Sequence, residues 1–304
     1  MNRAVVLATV GFFAGLGKPA HADLSCTDWM ADAFFSAATV QEVRKCLEAG
    51  ANLAERDNEG RTPLHLAAAA TQNATVVAEL LRAGADTELT DTKGRRPIHV
   101  AARKAQTPGI LSYLLVWGSD PDTQLPGERC SWRSFARCAT APLHLAAARA
   151  DGAEYIAALL AADADPDQRD EDGRSALQLA AANAPDTLSV AVLLQAGASE
   201  DISDFDGLTP LHMAARRGEG APEIVTALLE AGASADAGDD NGTTPVIWAA
   251  RTAPDSMIVD MLIGAAGDPC AADNDERTAL TVWDQNDNLE RDNVYWALHD
   301  QCSE

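Results

Sequence analysis

Four histidines recur at one position of a repeating sequence pattern, and they are the first candidates for metal binding or acid–base chemistry. They are His65, His99, His144 and His212, separated by 34, 45 and 68 residues. Each lies in a separate unit, and packed helices lie roughly 8–10 Å apart, whereas a zinc ion needs its ligands at about 2 Å. The four imidazoles therefore cannot share one ion. Gln178 and Ile247 occupy the same position in two further units, which a structural polar position tolerates.

No other arrangement of residues in the chain predicts catalysis. There is no H-E-x-x-H zinc motif and no G-x-S-x-G nucleophile elbow. The acidic turn at Asp204 is a poor calcium loop, because Ile202 stands at the first ligand position and Met213 at the twelfth, where a glutamate is required. We therefore predict a protein that is not an enzyme, with no catalytic residue, no metal site and no cofactor. The alternative, an enzyme of unrecognised type, would be revealed by turnover.

The net charge restricts the classes of partner. The 304 residues include 23 Lys and Arg against 46 Asp and Glu, a formal net charge of −23. A surface this acidic repels phosphate backbones and anionic lipid. We expect another protein as the partner, and no nucleic acid.

The four histidines belong to a repeated sequence pattern, of which the ten-residue segment GRTPLHLAAA from Gly60 is one copy. Its threonine position recurs at residues 62, 96, 141, 175, 209, 244 and 278, so the spacings are 34, 45, 34, 34, 35 and 34. Self-similarity at such a period predicts a solenoid, in which each unit packs only on its neighbours.

Each unit predicts two short helices joined to the next unit by a turn. Thr62 can cap a helix that begins at Pro63, where the missing N–H carries no penalty. An apolar stripe follows at residues 76–81 and predicts a second helix, which Gly84 can end in the left-handed conformation. The segment at 57–60 is a turn, with Asp to accept backbone hydrogen bonds and Gly for positive φ.

The pattern DxxGxTPLHxAA, then a Val/Leu-rich helix, then GAD, resembles the ankyrin repeat over residues 24–304. The complete TPLH occurs at Thr62–His65 and Thr209–His212. The resemblance implies an all-α solenoid of helix-turn-helix units with β-hairpin tips, about six full repeats and a capping unit at each end. It also implies that the histidines bridge the backbone of neighbouring hairpins. Asp163 and Ala266 stand where the terminating Gly is expected, so we expect looser helix ends there.

The expected boundaries are a signal peptide at 1–22, an N-terminal capping repeat at 23–57, six repeats at 58–273 with an inserted loop at 123–139, and a C-terminal capping repeat at 274–304. A basic start, 13 apolar residues over 4–16 and the A-x-A site at 20–22 indicate a secretory signal. A membrane anchor would need about 20 apolar residues, and the residues before Cys26 make a poor lipoprotein site. We expect an exported protein, periplasmic or secreted after cleavage near Ala22, with no membrane insertion.

Six cysteines are compatible with an oxidising compartment. Sequence order alone allows 15 pairings, and the repeat frame favours Cys26 with Cys46, Cys130 with Cys138, and Cys270 with Cys302. The alternative is that some are buried free thiols, notably Cys46.

Basic residues recur at two positions of the repeat and suggest where a partner binds. The resemblance implies binding on the concave side, formed by the hairpin tips and the exposed end of the first helix. Directly after the Ala-Ala pair stand Arg103, Lys104, Arg149, Arg216, Arg217 and Arg251, and after the turn Gly or its equivalent stand Arg61, Arg95, Arg174 and Arg277. Such a stripe can guide a partner with an acidic surface. The alternative is structural, since Arg is common at both positions in ankyrin repeats regardless of partner.

The inserted loop is the second candidate surface. Cys130 and Cys138 can close it and so reduce the entropy lost on docking. It displays residues of the types that dominate binding hot spots, namely Arg129, Trp132, Arg133, Phe135 and Arg137. The alternative is that Trp132 and Phe135 fold back and cover apolar surface left by the missing turn.

The sequence thus predicts a monomeric, non-catalytic protein-binding scaffold in the periplasm or the extracellular space. It does not distinguish an inhibitor, an immunity factor and a stabiliser of one partner. The alternative is a secreted effector that engages a protein of another cell.

Overall fold

The computed structural model describes residues 26–125, 141–185, 187–217, 221–265 and 267–302. These residues form a stack of helix pairs, preceded by a single 3-10 turn, Cys26–Asp28. The pairs are α1 (Asp32–Ala37) with α2 (Val40–Glu48), α3 (Pro63–Ala70) with α4 (Ala74–Arg82), α5 (Pro97–Lys104) with α6 (Pro108–Val116), α7 (Pro142–Ala147) with α8 (Ala153–Leu160), α9 (Ala176–Asn183) with α10 (Leu188–Gln195), α11 (Pro210–Arg217) with α12 (Ala221–Ala231), α13 (Pro245–Thr252) with α14 (Met257–Gly264), and α15 (Ala279–Trp283) with α16 (Asn293–Cys302). None of these helices is long and apolar enough to cross a membrane.

The first helix of each pair, which we call the inner helix, packs on the inner helices of the neighbouring units, and the end helices α1 and α15 have one such neighbour each. Leu64, Leu66, Ala67 and Ala68 of α3 are all fully buried. Small alanines let the neighbouring helices approach closely while leucines fill the remaining space. The second, or outer, helices form a parallel row from α2 to α14. The six central pairs and the two end pairs match the repeat frame predicted from the sequence.

The turns between units are held by their leading aspartates. Asp57 accepts backbone N–H groups from Glu59 and Arg61 at its Oδ1, at 2.9 and 2.8 Å, and its own N–H donates to the Arg61 carbonyl at 3.1 Å. Adjacent tips are joined through the backbone, as in the 2.9 Å hydrogen bond from Thr92 N to Glu59 O. The expected β-hairpin tips are therefore turns: the part of the chain described contains no strand, only an isolated bridge between Ala272 and Thr278.

One outer helix ends on a residue that lacks glycine's freedom. Gly84 closes α4 with φ of +94°, and Asp163 adopts φ of +63° at the equivalent place after α8. A side chain in this region is unfavourable, so the expectation of a looser end at Asp163 stands as a prediction. Ala266 lies outside the described residues.

Each end of the stack carries its own aromatic cluster and disulfide. At the N terminus Trp29, Phe34 and Phe35 are buried together, with ring centroids 5.1–5.6 Å apart. A bond joins Cys26 to Cys46 there, and another joins Cys270 to Cys302 at the other end. Cys46 is buried but is not a free thiol. The pairing of Cys130 with Cys138 falls outside the described residues.

Candidate functional site

The histidines connect each inner helix to the next tip. The Nε2 atom of His65 lies 2.9 Å from the Arg95 carbonyl oxygen, and His99, His144 and His212 make the same contact with the Thr123, Arg174 and Thr243 carbonyls at 2.9–3.0 Å. Gln178 replaces the imidazole with its amide, which donates to the Leu208 carbonyl at 2.5 Å. Because the acceptor is a carbonyl, Nε2 must carry the proton and Nδ1 is an acceptor.

In His65 and His212 the other ring nitrogen caps its own helix, and burial favours the neutral imidazole. Nδ1 of His65 lies 2.8 Å from the Thr62 hydroxyl, and Nδ1 of His212 lies 2.8 Å from that of Thr209. Burial lowers the pKa of His65, His144 and His212. Across the described ranges, His, Cys, Asp and Glu side chains form no group of three that could hold a metal ion.

The arginines that follow the turn glycines belong to the tips. Arg61, Arg95, Arg174 and Arg277 each donate Nε to the Oδ2 of the aspartate four residues earlier, at 2.7–3.0 Å. Arg174 is only 4% exposed. Burial opposes ionisation of Asp91, but hydrogen bonds from Arg95 and Lys93 outweigh it and its pKa is lowered. Where Leu208 replaces the arginine, burial raises the pKa of Asp204. These four arginines therefore stabilise turns, in agreement with the structural alternative that the sequence left open for them.

The basic residues that follow the Ala-Ala pairs lie at the C-terminal ends of the inner helices. We call this set the inner-helix end surface; it consists of Arg103, Lys104, Arg149, Arg216, Arg217 and Arg251. Cations at a helix C terminus interact favourably with the helix dipole, so part of their role is local. The structure divides this surface into two groups with different surroundings. The first group is Arg103, Lys104 and Arg149, and the second is Arg216, Arg217 and Arg251.

The first group lines a cleft of about 550 Å³ between the ends of α5 and α7. Arg149 lies in its wall, where it forms a two-point ion pair with Asp151 at 2.7 and 2.8 Å. Its guanidinium lies 4.0 Å from the Tyr155 ring centroid, and Nη2 donates to the Ala105 carbonyl at 3.2 Å. Hydrogen bonds from Arg149 lower the pKa of Asp151. Arg149 is thus held by internal contacts, while Lys104 on the same cleft is exposed.

The second group surrounds Trp248 of α13. Cζ of Arg216 lies 5.7 Å, and Cζ of Arg251 5.2 Å, from the Trp248 ring centroid. The indole N–H donates to Asp239 Oδ2 at 3.0 Å, which is the oxygen that an arginine occupies in four other tips. Thr243 stands at that arginine position here. The indole N–H takes the place of the missing guanidinium as donor to Asp239, and this hydrogen bond holds the ring in position.

Sequence reasoning missed Trp248. The signal was nevertheless available, because the equivalent position of the other full repeats carries Leu66, Val100, Leu145, Leu179 and Met213, all buried. A tryptophan is too large for this space, and Trp248 is only partly buried. The inserted-loop candidates, Arg129, Trp132, Arg133, Phe135 and Arg137, lie outside the described residues, so their contact with a partner stays a prediction.

Comparisons with known proteins agree with this architecture. A family model described as ankyrin repeats (3 copies) matches residues 33–124 and 143–239. The solved ankyrin repeat domain of human ASB11 is similar in structure, with a TM-score of 0.64 and 23% sequence identity, covering 78% of this chain and 98% of that domain. At this identity the likeness concerns the fold alone. No curated protein was found to match the chain in sequence.

Proposed function

The chain belongs to the ankyrin-repeat family, whose repeats are protein–protein interaction scaffolds, and on this premise we propose that it binds one protein partner through the inner-helix end surface. The partner is a protein with an acidic patch, and the binding involves no catalysis and no cofactor. The inserted loop, with Trp132 and Arg133, extends the same contact.

The observation that carries this proposal is the placement of cations in an acidic chain. With 46 acidic against 23 basic residues, most arginines are expected to find carboxylates, and the four tip arginines do so. Arg216, Arg217 and Arg251 make no ion pair within the described part of the chain, although they lie on one row of helix ends. A basic surface on an acidic molecule favours the approach of acidic partners in one orientation.

The compartment is part of the same proposal. Two disulfides at the ends of the stack suit an oxidising environment, and the basic and apolar start of the sequence suits export. We place the protein in the periplasm or outside the cell, as a monomer. Recovery from the culture medium in preference to the periplasm would favour the alternative of an effector that acts on another cell.

Site-specific crosslinking in the native compartment tests the proposal. A photoreactive amino acid at Lys104, on the inner-helix end surface, should give one stoichiometric protein adduct. The same residue at Arg82, exposed at the end of an outer helix, is the matched control and should give none. Equal adducts from both positions, or none from position 104, would contradict binding through this surface.

A further inference from the structure

Most arginines in the described ranges are satisfied by internal contacts, and the exceptions lie together. Arg44, Arg82 and Arg291 at the surface form ion pairs at 2.7–3.5 Å, while Arg56 and Arg169 donate to backbone carbonyls of adjacent tips at distances down to 2.5 and 2.7 Å. Within the described ranges, Arg216 and Arg251 have neither kind of partner. Both instead lie against one indole ring.

The ring between them is held in place before any partner arrives. The Trp248 N–H is bonded to Asp239, whose other oxygen already accepts the backbone N–H groups of Asn241 and Thr243 at 2.8 and 2.9 Å. An aromatic side chain fixed in this way loses little conformational entropy on binding. A guanidinium beside an aromatic ring retains its N–H donors at the edge of its plane, free to receive a carboxylate at two points.

A hydrogen-bond donor without an acceptor lies at the C-terminal end of α11. The Nη1 atom of Arg217 is buried and has no hydrogen-bond partner among the described residues. A buried charged donor without an acceptor destabilises the folded protein. Because this atom is closed to solvent, an acceptor reaches it only when the Arg217 side chain turns outward, so Arg217 adjoins the site without defining it.

We propose that Arg216, Trp248 and Arg251 form a binding site for the carboxylate side chains of an acidic protein segment, with Arg217 as an adjoining donor. The proposal rests on the function proposed above and names the place and chemistry of the main contact. Arg and Trp are the residue types that dominate protein–protein hot spots. A phosphate-bearing nucleic acid is disfavoured, because the chain as a whole carries a net charge of −23.

A peptide probe tests the site without a known partner. The full chain is titrated with N-acetylated, C-amidated hexaglutamate at low ionic strength, and with hexaglutamine as the uncharged probe. We expect the Trp248 indole N–H resonance, assigned by its loss in a Trp248 variant, to shift with hexaglutamate only. Raising the salt concentration should weaken this binding, because the Debye length falls to about 3 Å at 1 M.

Paired variants locate the contact. The double variant Arg216→Gln with Arg251→Gln should raise the Kd for hexaglutamate about tenfold or more, the effect of losing roughly 1.4 kcal/mol of contact. Arg291→Gln is the matched control, because Arg291 also lies over a ring, 5.1 Å from the Tyr295 centroid, but is already paired with Asp284. Its Kd should equal that of the parent. An unchanged Kd in the double variant would overturn the proposal.

A second variant removes the ring while keeping the tip intact. Trp248→Leu with Thr243→Arg gives the sixth repeat the residue types that other repeats carry, so the introduced guanidinium can bond Asp239 as Arg174 bonds Asp170. We expect an unchanged thermal midpoint and weaker hexaglutamate binding. Full retention of binding in this folded variant would exclude the indole from the site.

The outcomes separate this inference from the proposed function. If position 104 captures a partner whose binding is unaffected by the Arg216/Arg251 variant, the scaffold function stands and the carboxylate site is wrong. If hexaglutamate binds through the cluster but no partner is captured, the site stands and the scaffold function fails. If a single-stranded oligonucleotide binds through these arginines more tightly than hexaglutamate, the assignment to an acidic protein segment is overturned.

Discussion

In four repeats the fourth residue of the inner-helix motif makes two hydrogen bonds that differ in reach; these residues are His65, His99, Gln178 and His212. Its near atom caps its own helix, and its far atom bonds to the tip of the next unit, 30 residues away in the case of His65 and Arg95. Gln178 makes the same pair of contacts, with Ser175 and Leu208. A neutral polar side chain of the right length therefore suffices for both contacts, which is why neither metal binding nor proton transfer is needed to explain the recurrence of histidine.

The buried histidines predict that stability falls in mild acid. Folding lowers the pKa of His65, His144 and His212 by burial, so below about pH 6.5 the unfolded chain binds protons that the folded chain does not. The free energy of unfolding should fall as pH decreases from about 6.5, by up to about 1.4 kcal/mol per pH unit for each histidine. Denaturant unfolding at a series of pH values measures this slope.

The control for this prediction is substitution by the residue that the protein itself uses. His65→Gln with His212→Gln should reduce the slope between about pH 6.5 and 5, because two of the three buried histidines with a lowered pKa are removed. His144 keeps its share of the slope in this variant, so a slope equal to that of the parent would mean that groups other than His65 and His212 cause the acid sensitivity. The tip aspartates with lowered pKa, such as Asp91 and Asp273, lose their contribution only at lower pH, below about 4.

His144 lacks one of the two hydrogen bonds that the other histidines at this repeat position make, and a substitution that adds one oxygen atom should restore it. Ala141 stands where most other units have a capping hydroxyl, and Nδ1 of His144 has no partner among the described residues. Ala141→Ser adds a hydroxyl that can donate to this nitrogen and should raise the free energy of unfolding by about 1 kcal/mol. Ala146→Ser, which adds the same atom at another fully buried alanine, should be neutral or destabilising. Denaturation midpoints measure both, and equal effects would contradict the assignment.

Among the elements, the end pairs differ most from the rest of the stack. An internal inner helix is covered on two sides, but α1 and α15 have an inner-helix neighbour on one side only. One disulfide lies within the N-terminal end unit, and the other joins Cys302 of the C-terminal end unit to Cys270, just before that unit. Since stability in a solenoid is roughly a sum of unit and neighbour-interface terms, a bond at the end opposes local fraying.

Removal of the C-terminal disulfide should therefore loosen one end and leave the centre unchanged. A bond closing a loop of 32 residues stabilises by about 2–4 kcal/mol. In Cys270→Ser with Cys302→Ser, the amides of α16 should exchange hydrogen faster while those of α9 and α11 keep their protection. Cys26→Ser with Cys46→Ser is the mirror control and should affect α1 and α2. Uniform loss of protection along the chain would show that the stack unfolds as one cooperative unit.

For the whole molecule, charge is the dominant long-range term. The net charge of −23 opposes compaction through self-repulsion, while the tip ion pairs are partly buried and are screened less by salt. The thermal midpoint should therefore rise as NaCl is increased from about 0.02 to about 0.5 M. Chloride is used because sulfate stabilises proteins by surface exclusion. A fall in the midpoint would mean that the exposed ion pairs outweigh the repulsion.

Much of this molecule was determined by the sequence alone. The register, the helix pairs, the two end units and the structural role of the histidines all follow from a pattern repeated at nearly constant spacing. Each unit contacts only its neighbours, so local periodicity and capping residues suffice to predict these features. The sequence could not, however, distinguish arginines that are paired within the protein from arginines that are available to a partner. Arg174 and Arg216 both occupy positions that recur along the chain, and both positions predict a basic stripe equally well.

The tertiary structure decided which arginines are engaged and which are free. Arg174 is buried against Asp170, whereas Arg216 lies against Trp248, a residue from the next unit. Trp248 in turn occupies this place because Thr243 left Asp239 without a guanidinium. The availability of a charged side chain depends on what surrounds it across the repeat interface, and residue type and spacing along the chain carry no information on that.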